Sequence, residues 1–186
     1  MTTRSITAIL AAATFAAVVP CAAAPDAPPK PAAEMSNLKV FDGNWTCAGE
    51  ALPGPMGPGG KMTGSVKSHA DFGGYWQSGM VKSSMTGMPA MEGMFHMTYD
   101  PGPKQYVLLW VDNMGAYSQE TATGWEGDKI VFSGETAMGG KKMAVRDTFV
   151  KAADGSLKHD WEGQMDGKWT AMGSETCKKA AAPAKK

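Results

Sequence analysis

Gly93 to Trp125 reads GMFHMTYDPGPKQYVLLWVDNMGAYSQETATGW. Within it, Met94–Tyr99 and Gln105–Val111 are rich in aromatic and β-branched side chains, and Asp100-Pro101-Gly102 stands between them. Proline presets φ and glycine accepts φ > 0, so this tripeptide reverses the chain. Asp112-Asn113-Met114-Gly115 is a second short connection, leading into a mixed polar and apolar run from Tyr117 to Trp125. Strands joined by turns this short pair antiparallel, because a parallel pair needs a long crossover. The stretch is therefore expected to form three strands of a meander.

The same rhythm extends in both directions. Upstream, Trp45–Ala51, Lys61–Phe72 and Tyr75–Ser84 read as strands, the last two joined at Gly73-Gly74. Downstream, Lys129–Glu135, Lys142–Lys151, Ser156–Gln164 and Lys168–Cys177 each follow a glycine-containing turn. No long helical period separates them, so the expected fold is all-β: an antiparallel up-and-down β-barrel of about ten strands. A two-sheet sandwich is the alternative, but its crossovers need longer connections. Before the first strand, Met35, Leu38 and Phe41 recur every third residue and predict a short N-terminal helical cap.

In a closed barrel with an even number of strands the first and last are antiparallel neighbours. Cys47 lies in the first predicted strand and Cys177 ends the last, so a disulfide between them is expected to staple the seam. A metal or redox role would need further ligands or a CxxC spacing, which these two lack.

Residues 1–23 have the features of an export signal: Arg4, an apolar run from Ile9 to Val19, then small residues. The run is too short and alanine-rich for a membrane span. The expected location is periplasmic or extracellular, with a lipoprotein anchored through Cys21 as the alternative. Pro20 immediately before that cysteine weakens the lipoprotein reading. Residues 24–36 read as a Pro/Ala-rich linker, 37–177 as the barrel domain and 178–186 as a disordered tail.

The 186 residues carry a formal net charge of zero, and their basic residues are scattered, which leaves no footprint for nucleic acid. The chain contains no G-x-S-x-G, no H-E-x-x-H, no phosphate-binding glycine loop and no Cys/His pair at nucleophile spacing. Glu92, Glu120, Glu135, Glu162 and Glu175 fall on different predicted strands, with nothing to pair them for acid–base work. The simpler reading is solvated faces plus a few inward groups satisfied by Arg146. Enzymatic activity is therefore unsupported.

The segments FDGNW, FGGYW, EGMFHMTYDPGPKQYVLLWVDNMG and VFSGE, with the strand carrying Arg146, run through most of residues 37–177 in the order they take in the bacterial DUF1579 family. The chain resembles that family. The resemblance implies a lipocalin-like, calycin-type barrel, and implies no activity, substrate or catalytic residues. The methionine repeat and the cysteine pair lie outside the family pattern.

A barrel of this size either fills with side chains or encloses one small apolar ligand. Alternation cannot decide which side chains face inward, since Tyr106/Leu108/Trp110 and Val107/Leu109/Val111 are both apolar. Trp45, Tyr75, Phe95, Trp110, Arg146 and Trp161 are the candidate ligand-binding residues, Arg146 being the one to orient a polar or anionic group. The partner expected is a small molecule, with no cofactor. Two alternatives bring one.

Met85, Met88, Met91, Met94 and Met97 recur every third residue with His96 among them, and thioethers select Cu(I). Spacing by three alternates faces along a strand, so Met94 and Met97 cannot converge. The copper candidates are Met85, Met88, Met91 and His96. The second alternative is haem on an inward His159, which shares a strand face with Leu157 and Trp161.

Overall fold

The structure, a computed structural model, describes residues 30–54 and 57–180. The expected signal, Cys21 and residues 24–29 of the expected linker lie outside the described residues, as do residues 181–186 of the expected tail. The described chain begins with a 3-10 helix, Ala33–Phe41. Its spacing explains that form: with three residues per turn, Met35, Leu38 and Phe41 fall on one face, whereas an α-helix would rotate them apart. Leu38 and Phe41 are buried and Met35 packs against the same core. The expected linker thus ends earlier than residue 36, because Glu34 and Met35 already belong to the cap.

Eleven strands follow: β1 (Gly43–Ala51), β2 (Gly60–Asp71), β3 (Trp76–Met85), β4 (Met91–Asp100), β5 (Gln105–Asp112), β6 (Tyr117–Ala122), β7 (Trp125–Glu126), β8 (Lys129–Met138), β9 (Lys141–Lys151), β10 (Leu157–Met165) and β11 (Lys168–Lys179). Consecutive strands from β1 to β6 and from β8 to β11 pair antiparallel, β1 pairs with β11, and β6 pairs with β8. Ten strands therefore close on themselves, and the two-residue β7 pairs with β8 alone. The expected run Tyr117–Trp125 is broken because Gly124 adopts φ 149°, a backbone open to glycine that ends the ladder between Ala122 and Trp125. The tail begins later than expected, since Lys178 and Lys179 still pair with Thr46 and Trp45.

At the seam Cys47 stands opposite Cys177 with Cα atoms 4.0 Å apart, and the two form a disulfide across 130 residues of sequence. The 3-10 helix closes the end of the barrel where β1 begins. Tyr106 Oη donates to the Glu34 carbonyl at 3.1 Å and accepts from Asn37 Nδ2 at 2.9 Å, and Trp45 Nε1 donates to the Phe41 carbonyl at 2.9 Å. Gln77 Nε2 donates to Asp42 Oδ1 and Ser68 Oγ, both at 2.7 Å. These bonds pair several of the polar groups that the plug buries, while Trp125 Nε1, packed near Phe41, is left without a partner.

Candidate functional site

Period-two alternation fixes what each strand aims inward. In the half of the barrel beside the plug, the inward side chains are close-packed: Trp45, Cys47, Phe95, Met97, Tyr106, Leu108, Ile130, Phe132 and Leu157 are all buried. In the opposite half, Met62, Met85, Met91, Trp110, Met143, Trp161 and Met172 also point inward, yet each keeps part of its surface exposed. Beside the plug, inward Tyr99 and Phe149 are partly exposed as well, Tyr99 lining a pocket there with Asn37, Tyr106 and Trp125. The half away from the plug, the cup, is thus lined by methionine and tryptophan side chains that stay partly exposed.

Glycines at inward positions make room for the rings. A Cβ on Gly93 would lie 2.3 Å from the Trp110 ring, and one on Gly173 would lie 2.2 Å from the Trp161 ring. Each indole therefore occupies the space over a glycine, which any larger residue would contest.

Between filled and open halves lies a cluster of charge. His159 Nε2 meets Asp147 Oδ1 at 2.8 Å and its Nδ1 lies 3.4 Å from Glu175 Oε1. Phe149 stacks on the imidazole at 4.4 Å and Trp161 lies tilted at 5.2 Å. Loss of bulk water pulls the His159 pKa down. The hydrogen bonds to Asp147 and Glu175, reinforced by their charges, outweigh that and push it up to about 10. Glu120, on β6, is almost wholly buried and accepts from Ser118 Oγ at 2.7 Å. Burial first, then the nearby Asp147 charge, pushes its pKa up to about 9. At neutral pH, then, an imidazolium faces two carboxylates while Glu120 keeps its proton.

The candidate ligand residues divide by face. Trp45, Phe95, Trp110 and Trp161 point inward, the first two within the filled half and the last two in the open wall. Tyr75 does not line the barrel: it follows the Phe72–Gly74 turn in αR conformation and is 36% exposed. Phe72 there takes φ 47°, so the turn consumes Tyr75 and the strand begins one residue later. Arg146 lies on the outer wall, because the inward position belongs to its neighbour Asp147 and a shift of one residue changes face. Its guanidinium pairs with Glu162 at 2.7 Å and stacks 4.6 Å from the Trp169 ring.

The copper candidates are likewise separated. His96 is on the outer face, bonded to Ser78 Oγ at 2.9 Å and set edge-on to Trp76. Met85 and Met91 face inward at the rim, and Met88 sits in the turn between their strands beside Gly57. Met94 is 40% exposed outside whereas Met97 is 2% exposed inside, as alternation requires. Among the acidic residues, Glu92, Glu135 and Glu162 pair on the outside with Lys82, Lys142 and Arg146. Glu120 and Glu175 enter the barrel, where His159 and not Arg146 supplies the positive charge.

A family model described as "Protein of unknown function (DUF1579)" matches residues 30–179. No curated protein matches the chain. Among solved structures, the crystal structure of Rv2717c from M. tuberculosis superposes with a TM-score of 0.64 at 14% identity, covering 82% of this chain and 100% of that one. At that identity the likeness extends to the barrel alone.

Proposed function

This chain belongs to the DUF1579 family, and since that family carries no assigned activity we propose from the barrel itself that the protein binds one small apolar or amphipathic molecule in the open half of the cup, without transforming it. The observation that carries this reading is the contrast between the mostly buried inward side chains near the plug and the partly exposed Met62, Met85, Trp110, Met143 and Trp161 above them. An apolar wall left in contact with water gains on covering it, at about 25 cal/mol per Å². Methionine suits such a wall, since its unbranched thioether adapts to ligands of differing shape. The charged floor supplies a polar end to the site, where His159 is engaged by Asp147 and Glu175 and only Glu120 Oε2 is left without a partner.

Haem on His159 does not fit these residues. An axial ligand needs a free ring nitrogen, whereas both nitrogens here face carboxylates, Asp147 at 2.8 Å and Glu175 at 3.4 Å, which favour the protonated ring. Export to the periplasm or the extracellular space is part of the same proposal. The Cys47–Cys177 bridge supports it, because disulfides persist outside the reducing cytosol. No helix among the described residues is long and apolar enough to cross a membrane.

An anilinonaphthalene dye tests the cup. It should bind with one-to-one stoichiometry, quench tryptophan emission, and bind at least about tenfold more weakly to Trp110→Leu and Trp161→Leu, a loss of roughly 1.4 kcal/mol. Unchanged affinity in both folded variants would place the dye elsewhere and sink the proposal.

A further inference from the structure

Gly163 lies on β10, directly opposite Val145 on β9 and Thr170 on β11. A Cβ built there would lie 2.8 Å from Met143 Sδ and 2.9 Å from Met172 Sδ. Two thioether sulfurs from the flanking strands therefore occupy the same niche, which exists only because residue 163 has no side chain. The β-bulge in β11 produces the second half of this arrangement: register shifts between Trp161 and Glu162, so that Trp161 opposes Gly173 and Glu162 opposes Ala171, leaving Met172 as the unpaired extra residue. The bulge re-aims that side chain into the cup.

We propose that Met143 and Met172 form a thioether site for a soft monovalent metal ion, Cu(I) or Ag(I), on the wall of the cup opposite the repeat Met85–Met91. Thioether sulfur is a weak ligand for hard or borderline ions and a good one for these, so the donor set selects its metal. Both residues are partly exposed on the open side, which gives the ion an entry path. Cys47 and Cys177 do not compete, because their sulfurs are joined to each other. The proposal does not depend on the organic ligand proposed for the cup.

The test uses the disulfide-intact protein carrying ¹³C-methyl methionine, titrated with silver nitrate. The methyl signals of Met143 and Met172 should shift together and saturate at one equivalent. Met143→Leu and Met172→Leu keep the wall apolar and should each weaken binding by at least about tenfold, since even the residues that merely support metal ligands cost that much when removed. Gly163→Ala is the decisive variant. It retains both sulfurs, and the three atoms nearest the new methyl are the ends of flexible methionine side chains, so the fold is expected to persist while the sulfurs are displaced. Binding should again fall by at least about tenfold, as for loss of a ligand. Silver that shifts only Met85, Met88 or Met91, or that binds Gly163→Ala as tightly as the parent, would overturn the assignment, as would no saturable binding at all.

Discussion

His159 holds two carboxylates inside a barrel because it keeps its own charge. Desolvation opposes that charge, and the Asp147 and Glu175 contacts overcome it. Glu120 resolves the remaining repulsion by staying protonated. The pH dependence follows from these directions. A group whose folded pKa is raised binds its proton more tightly in the folded state, so its contribution is complete below the unfolded value and disappears as pH rises through the folded one. For Glu120 the window runs from 4.5 to about 9. For His159 it runs from 6.5 to about 10. Stability measured by urea unfolding should therefore decline steadily between these limits as pH rises. Glu120→Gln, which imitates the protonated acid, should flatten the lower part of that decline and gain on the order of 1 kcal/mol at pH 8. A parent protein whose stability rises from pH 6 to pH 9 would contradict the charge assignment. The carboxylates themselves were within reach of sequence reasoning. Because Cys177 points inward to meet Cys47, Glu175 two residues earlier must also point inward. Asp147 was harder to place, because its strand offers Arg146 and Asp147 side by side and only the pairing partners decide between them.

The strands show the same division. Their number and order were legible, because each is bounded by turn chemistry such as Asp100-Pro101-Gly102, Asp154-Gly155 and Asp166-Gly167. Their faces were less so. Where both faces are apolar, as in β5, packing chooses, and here it is the glycines of the neighbouring strand that determine where rings can lie. Gly79 and Gly93 illustrate this. A Cβ at either would come within 2.3 Å of an aromatic ring, Phe95 in the first case and Trp110 in the second. Rings cannot flex out of the way as methionine ends can, so Gly93→Ala should destabilise the protein by about 1–3 kcal/mol, the usual cost of overpacking. The Trp110 ring would be displaced, and dye affinity should fall with it. Equal stability of Gly93→Ala and the parent in urea would mean that the indole has another place to go.

Closure is a property of the whole molecule, and it is the seam between β1 and β11 that completes it. Residues Trp45–Ala51 pair with Gly173–Lys179 along their length, so the first and last strands would remain neighbours without any covalent link. What the Cys47–Cys177 bridge changes is chiefly the unfolded chain, in which it closes a loop across 130 residues of sequence. On the chain-entropy account a loop of that size stabilises by about 5 kcal/mol before any strain is subtracted. The double variant Cys47→Ser/Cys177→Ser should consequently lose about 2–5 kcal/mol. It should nevertheless retain the native circular dichroism and its one-to-one dye stoichiometry, because the cup is shaped by ladders and glycines that the bridge does not touch. Its urea m-value should rise as well, since an uncrosslinked chain exposes more surface on unfolding. If the variant instead loses its native spectrum in the absence of denaturant, the ladder between β1 and β11 is insufficient by itself, and the disulfide is what closes the barrel.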